Sequence, residues 1–200
     1  MNVTYRGTVY PSQCDHMGHM NVMWYVGKFD EASWQLLSLL GLTPSRFKSE
    51  GIGMAAVDQH IEYKRELHAG DVVTIRSAVL GVAEKSIRIV HQMRNDDTGE
   101  LAAVTVVVGV HLDTTIRRAR ALPADVRERA TRLIAEQGEL ADANESATVH
   151  RPIAVTATNF EDAAQTIAAR LGSADGCGAG SAEMYRADRS YSSGWRRASM

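Results

Sequence analysis

One stretch of the chain, residues 21–40, limits the possible folds more than any other. Trp24, Val26, Phe29, Ala32, Trp34, Leu36, Leu37 and Leu40 recur there at helical spacing. They place apolar groups on more than one side, which predicts a single long, deeply buried helix. Asn21 is the expected N-cap and Gly41 the expected stop. The residues that follow change period. Residues 54–66, 72–82, 85–94 and 101–112 read as strands. The Asn95-Asp96-Asp97-Thr98-Gly99 run makes a hairpin turn between the last two. Gly51, Gly53, Gly70 and Gly81 punctuate the rest. Residues 3–10 read as a strand ahead of the helix, closed by Pro11, which lacks the N–H a sheet ladder needs. Pro123, followed by Val126, Ala130, Leu133 and Ile134, predicts a short final helix. The order is therefore one strand, one long helix and four strands. An α+β layer, with the helix laid on an antiparallel sheet, is the expected architecture.

This pattern does not extend to the end of the chain. Residues 1–135 contain 36 Leu, Ile, Val and Phe, residues 136–200 contain 7, and none follows Leu171. So little apolar area offsets little of the entropy of ordering a segment. The expected organisation is a folded domain over residues 1–137 and a low-hydrophobicity extension over 138–200, partly disordered. Residues 159–171 of that extension carry weak helical spacing. The net charge of −2 disfavours nucleic acid and anionic membrane as general partners. Two cysteines, Cys14 and Cys177, supply neither a disulfide framework nor a four-cysteine zinc site. No signal-like or membrane-spanning run is found, and the expected location is the cytoplasm.

Chemistry concentrates in Cys14-Asp15-His16-Met17-Gly18-His19-Met20-Asn21-Val22, the link into the long helix. A helix start offers unpaired N–H groups and partial positive charge, which can polarise a carbonyl oxygen. A neighbouring carboxylate can attack the carbonyl carbon or activate water. Gly18 lets the backbone turn closely past a ligand. Cys14, Asp15, His16 and His19 are ligand types for a metal, but adjacent residues rarely converge on one ion, and no metal is expected.

Asp15-x-x-Gly18-His19-x-Asn21, with Tyr25 and Phe29-Asp30-Glu31-Ala32 behind it, resembles the hotdog-fold acyl-CoA thioesterases of the 4-hydroxybenzoyl-CoA thioesterase-like group. The run from Ile61 to Asp71 resembles that family's second strand and turn. The likeness covers roughly residues 3–135. It implies a long helix wrapped by a five- or six-stranded antiparallel sheet, acyl-CoA as substrate, no cofactor, and a homodimer or homotetramer with active sites at the subunit interface. It places the acid on Asp15 and the oxyanion donor on the N–H of Val22. Gly18, His19, Asn21 and Tyr25 become substrate-binding positions. A dehydratase or hydratase acting on acyl thioesters and a non-catalytic acyl-CoA binder are the alternatives.

Other residues carry weaker signals. Asp30 and Glu31 read as surface or interface charges on the helix. Met17, Met20, Met23 and Met54 suit a core or an acyl tunnel. Cys14 has no base partner in the sequence. Arg117, Arg118 and Arg120 suit either a solvated turn or the phosphates of CoA.

Overall fold

A computed structural model describes residues 1–141, with side chains through residue 136. The low-hydrophobicity extension beyond Ala141 and the helical spacing at 159–171 lie outside the described residues.

Strand β1 (Asn2–Thr8) leads through a 3-10 turn at Pro11–Gln13 to helix α1 (Val22–Leu39). Helix α2 (Pro44–Glu50) follows, then β2 (Ile52–Tyr63), β3 (Val72–Val82), β4 (Ser86–Asn95), β5 (Leu101–Asp113), the two-residue β6 (Arg118–Ala119) and α3 (Ala124–Ala141). The strand order is β1-β3-β4-β5-β2, antiparallel throughout, with β6 paired to the end of β5. One long helix on a curled antiparallel sheet is the α+β, hotdog-like arrangement expected above.

Helix α1 begins where Asn21 predicts. The Asn21 side chain accepts the Met23 N–H, and the chain leaves the helix at Gly41, whose φ of +87° is costly for other residues. The helix meets the sheet through Tyr25, Lys28, Phe29, Ala32, Leu36 and Leu37. Its burial is narrower than expected. Val22, Met23, Val26, Trp34 and Leu39 are exposed, because the sheet covers one face and nothing in the described chain covers the other.

Two clusters form the core. One, at the start of α1, gathers Val9, Met20, Tyr25, Phe29, Leu67, Ile75 and Met93. The other gathers Leu36, Leu40, Ile52, Ile87, Leu122, Val126 and Ala130, and α3 closes it. Burying each large apolar side chain stabilises the fold by about 1.5–3 kcal/mol. Between the clusters lies His91, fully buried. Ser77 Oγ is 2.5 Å from its Nδ1 and Ser33 Oγ 3.0 Å from its Nε2. Since the Ser33 hydroxyl already donates to the Phe29 carbonyl at 2.9 Å, Nε2 carries the proton and Nδ1 accepts from Ser77. Thr4 Oγ1 lies 2.5 Å from Ser77 Oγ and extends the chain to β1. Burial lowers the His91 pKa to about 4.

Several boundaries differ from expectation. α2 went unread because its SRFKSE core has no apolar stripe, although Thr43 caps it and Pro44 starts it. β2 starts two residues early and ends at Tyr63. α3 is longer than expected and runs to Ala141, so the expected domain limit at residue 137 falls inside it. Among the described residues no helix is long and apolar enough to cross a membrane.

Candidate active site

The link between β1 and α1 folds into a small hairpin. Cys14 bridges Met20, the Asp15 N–H donates to the His19 carbonyl at 3.1 Å, and the Gly18 N–H donates to the Asp15 carbonyl at 3.0 Å. Gly18 has φ +85°, and a Cβ there would meet no atom within 4 Å. Backbone conformation therefore selects glycine here, and crowding in this chain does not. The Met20 N–H donates to the Leu67 carbonyl at 2.6 Å, and the Asn21 N–H to the Gln13 carbonyl at 2.9 Å. The first bond fixes the hairpin against the loop after β2, and the second closes it onto the 3-10 turn.

Asp15 is held at the rim of this hairpin with its side chain 21% exposed. The Met17 N–H donates to Oδ1 at 2.9 Å and the Asn21 Nδ2 to Oδ2 at 3.3 Å. The Met17 N–H, then the charge of His19, then Asn21 hold its carboxyl below the usual value of 3.8, against partial desolvation. Asn21 therefore does two things at once. Its Oδ1 accepts the Met23 N–H at 3.0 Å while its amide nitrogen tethers Asp15. Among the described residues none accepts from the Val22 N–H, the first of α1, as is usual in the open first turn of a helix.

His19 lies between two acids. Its Nδ1 is 3.9 Å from Asp15 Oδ1 and its Nε2 is 3.8 Å from Glu66 Oε1. Tyr25 is buried, and its hydroxyl donates to the Arg65 carbonyl at 3.3 Å, so it grips the loop that carries Glu66. Burial pushes its phenol up to about 12, and the charge of Glu66 adds to the rise. Its ring meets that of Tyr63 edge to face at 5.2 Å. Beside this loop an open depression of about 240 Å³ is lined by Lys64, Arg65, Glu100 and Leu101.

Asp15, Gly18, His19, Asn21, Val22 and Tyr25 thus come together at one end of the sheet. Other candidates do not. Asp30 accepts the Trp34 indole N–H at 3.1 Å on the outer face of α1, and Glu31 is exposed there. The methionines divide: Met20 is in the core, Met54 packs on the second cluster, and Met17 and Met23 are exposed. Arg118 pairs with Asp113 at the far end of β5, the length of a 13-residue strand (about 40 Å) from Leu101. Arg117, Arg118 and Arg120 therefore do not meet Asp15 within one chain. Glu66 is the residue that sequence reasoning passed over. It lies in the 61–71 run that carried part of the resemblance, and only folding shows that it faces His19.

Known proteins resemble this chain in sequence and in fold. The family model described as the thioesterase-like superfamily matches residues 9–130. The bifunctional L-carnitine dehydrogenase/betainyl-CoA thioesterase of Agrobacterium fabrum is 31% identical over 129 residues, 64% of this chain and 26% of that protein. The betainyl-CoA thioesterase of Pseudomonas aeruginosa is 24% identical over 130 residues, 65% of this chain and 82% of that protein. The chain thus spans about a quarter of the first relative and about four fifths of the second. Among solved structures, the DHNA-CoA thioesterase of Staphylococcus aureus superposes with a TM-score of 0.62 at 19% identity, covering 68% of this chain and 92% of that one.

Proposed function

Because the chain belongs to the thioesterase-like superfamily, we propose that it hydrolyses acyl-CoA thioesters to a free carboxylic acid and CoA. Asp15 acts on the carbonyl carbon by one of two routes. As general base it takes a proton from water, whose oxygen attacks the carbon. As nucleophile it forms a mixed anhydride that water then cleaves. In both, the C–S bond breaks and CoA leaves as thiolate, which takes up a proton. The Val22 N–H and the α1 dipole stabilise the oxyanion. The observation that carries this reading is the Asn21 amide, which ties the Asp15 carboxylate to the start of the helix.

The acyl group of this reading is small and cationic, as in the betainyl group for which both curated relatives are named. The working form is a homodimer or homotetramer in the cytoplasm. β2, the 12-residue outer strand, supports this reading because its free edge suits addition of a second copy.

Thiol release from a panel of acyl-CoAs tests the activity. Asp15→Asn is expected to lower kcat about 10²–10⁴-fold, the usual contribution of a general base, with the melting temperature unchanged. Undiminished turnover would remove Asp15 from the mechanism. Because its neighbours hold Asp15 ionised, the acid limb of the pH–rate profile is expected at or below the ordinary carboxylate value of 3.8. A limb near neutral pH would show that the Asp15 carboxylate is not the group that titrates.

A further inference from the structure

We propose that Glu66 is a specificity-determining residue that selects acyl groups carrying a positive charge close to the thioester carbonyl. This rests on the acyl-CoA hydrolase reading above and adds a selecting residue to it.

The side chain of Glu66 is 67% exposed, but its backbone is fixed. The Lys64 and Arg65 N–H groups both donate to the Ala102 carbonyl, at 2.8 and 3.1 Å. The Tyr25 hydroxyl holds the Arg65 carbonyl, and the Met20 N–H holds that of Leu67. The His68 N–H donates to Asp71 Oδ2 at 2.8 Å and closes the loop. Glu66 is thus a carboxylate carried on a fixed piece of backbone, with the His19 ring between it and Asp15.

The separation of the two carboxylates limits the substrate. The contacts on the two sides of the imidazole put the two carboxylates no more than about 10 Å apart. A reacting oxygen needs about 3 Å to the carbonyl carbon. An ammonium group pairs with a carboxylate at about 4 Å. On the nucleophilic route at most about 3 Å is left, room for a charge one or two carbons from the carbonyl. Tyr63, about half exposed, acts on the same Tyr25 hydroxyl as Glu66, so it is an aromatic ring available to a cation there.

The basic residues of the same loop do not cancel this field. Lys64 Nζ is 2.6 Å from Glu62, and Arg65 Nε is 3.3 Å from Glu100. Glu66 itself lies against His19, within a group that also holds Asp15 and Asp71.

The test compares (trimethylammonio)acetyl-CoA with 3,3-dimethylbutanoyl-CoA, which has the same shape but carries carbon in place of the charged nitrogen. Wild type is expected to favour the cation in kcat/KM. Glu66→Gln is expected to reduce that preference about tenfold through KM, read as the ratio of the two thioesters within each variant. Tyr63→Leu is expected to reduce it about threefold. Calorimetric binding of both thioesters to wild type and Glu66→Gln supplies a readout independent of turnover. A cation preference in binding that Glu66→Gln abolishes, with no thiol released, supports the selectivity and defeats the hydrolase reading. Hydrolysis of both thioesters with a preference that Glu66→Gln leaves untouched overturns the proposal and spares the hydrolase reading. Absence of any cation preference in wild type overturns it as well.

Discussion

At its C-terminal half α1 meets Leu42, Ile52, Ile87 and Val126 through Leu36, Leu37 and Leu40. At its N-terminal half it meets a hairpin and a loop held by hydrogen bonds, with the carboxylates of Asp15 and Glu66 partly in water. Hydrocarbon anchors both halves, the N-terminal one through Tyr25, Phe29 and Ala32, but the N-terminal end adds a set of directional contacts. Apolar packing fixes a helix in depth but tolerates small shifts, whereas hydrogen bonds fix angles. The proposed mechanism aims a carboxylate and an N–H at one carbonyl, and that needs angles. The outer end of α2 is tied differently again: Arg46 Nη1 meets Asp125 Oδ2 at 2.8 Å and locks α2 to α3, far from the chemistry.

The contrast can be broken by experiment. Leu36→Ala at the apolar end is expected to cost about 2–5 kcal/mol in urea unfolding and to leave KM unchanged. A shifted KM would mean the two ends are not separate. His91 joins the halves through Ser33, and its effect is read by pH. Its folded pKa, about 4, is depressed from 6.5, so the fold favours the neutral ring. That contribution is complete above about pH 6.5 and is lost as pH falls toward 4, about 3 kcal/mol in all. Stability against pH should show the loss in wild type, and His91→Gln should flatten it. Asn21→Ala sharpens the contrast at the other end. The lost cap costs about 1 kcal/mol of stability. The activity loss should exceed what that cost explains, because Asp15 is released too. Ending the chain after Gln137 is expected to leave melting temperature and turnover within error. A drop in soluble protein would show that the extension belongs to the core.

Much of the fold could be read before folding was considered. The long helix, its Asn21 cap and the four later strands follow from period, because each strand or helix face meets a uniform surface. The Asp15 hairpin was visible as a motif. What was hidden depends on contacts between distant elements. The buried lysine on α1, Lys28, looks like any surface charge until its Nζ is seen 3.0 Å from the Tyr5 hydroxyl and 3.3 Å from the Thr8 carbonyl. The partners of His91 come from β1, β3 and α1, and no local pattern links Thr4, Ser77 and Ser33. Glu66 was hidden for the same reason, since its role depends on a loop folded back onto His19. The apolar groups on the outer face of α1 were read as buried because periodicity reports greasy positions, not what covers them.

On the proposed mechanism, the double duty of Asn21 makes helix fraying and catalytic competence a single equilibrium. When the first turn of α1 opens, Asp15 loses its tether in the same event. Activity should therefore fade with warming before the protein unfolds as a whole, following the local opening of that turn. Conversely, any ligand that needs Asp15 in place will slow deuterium uptake at the amide of Met23, so that this one backbone position reports occupancy of the site.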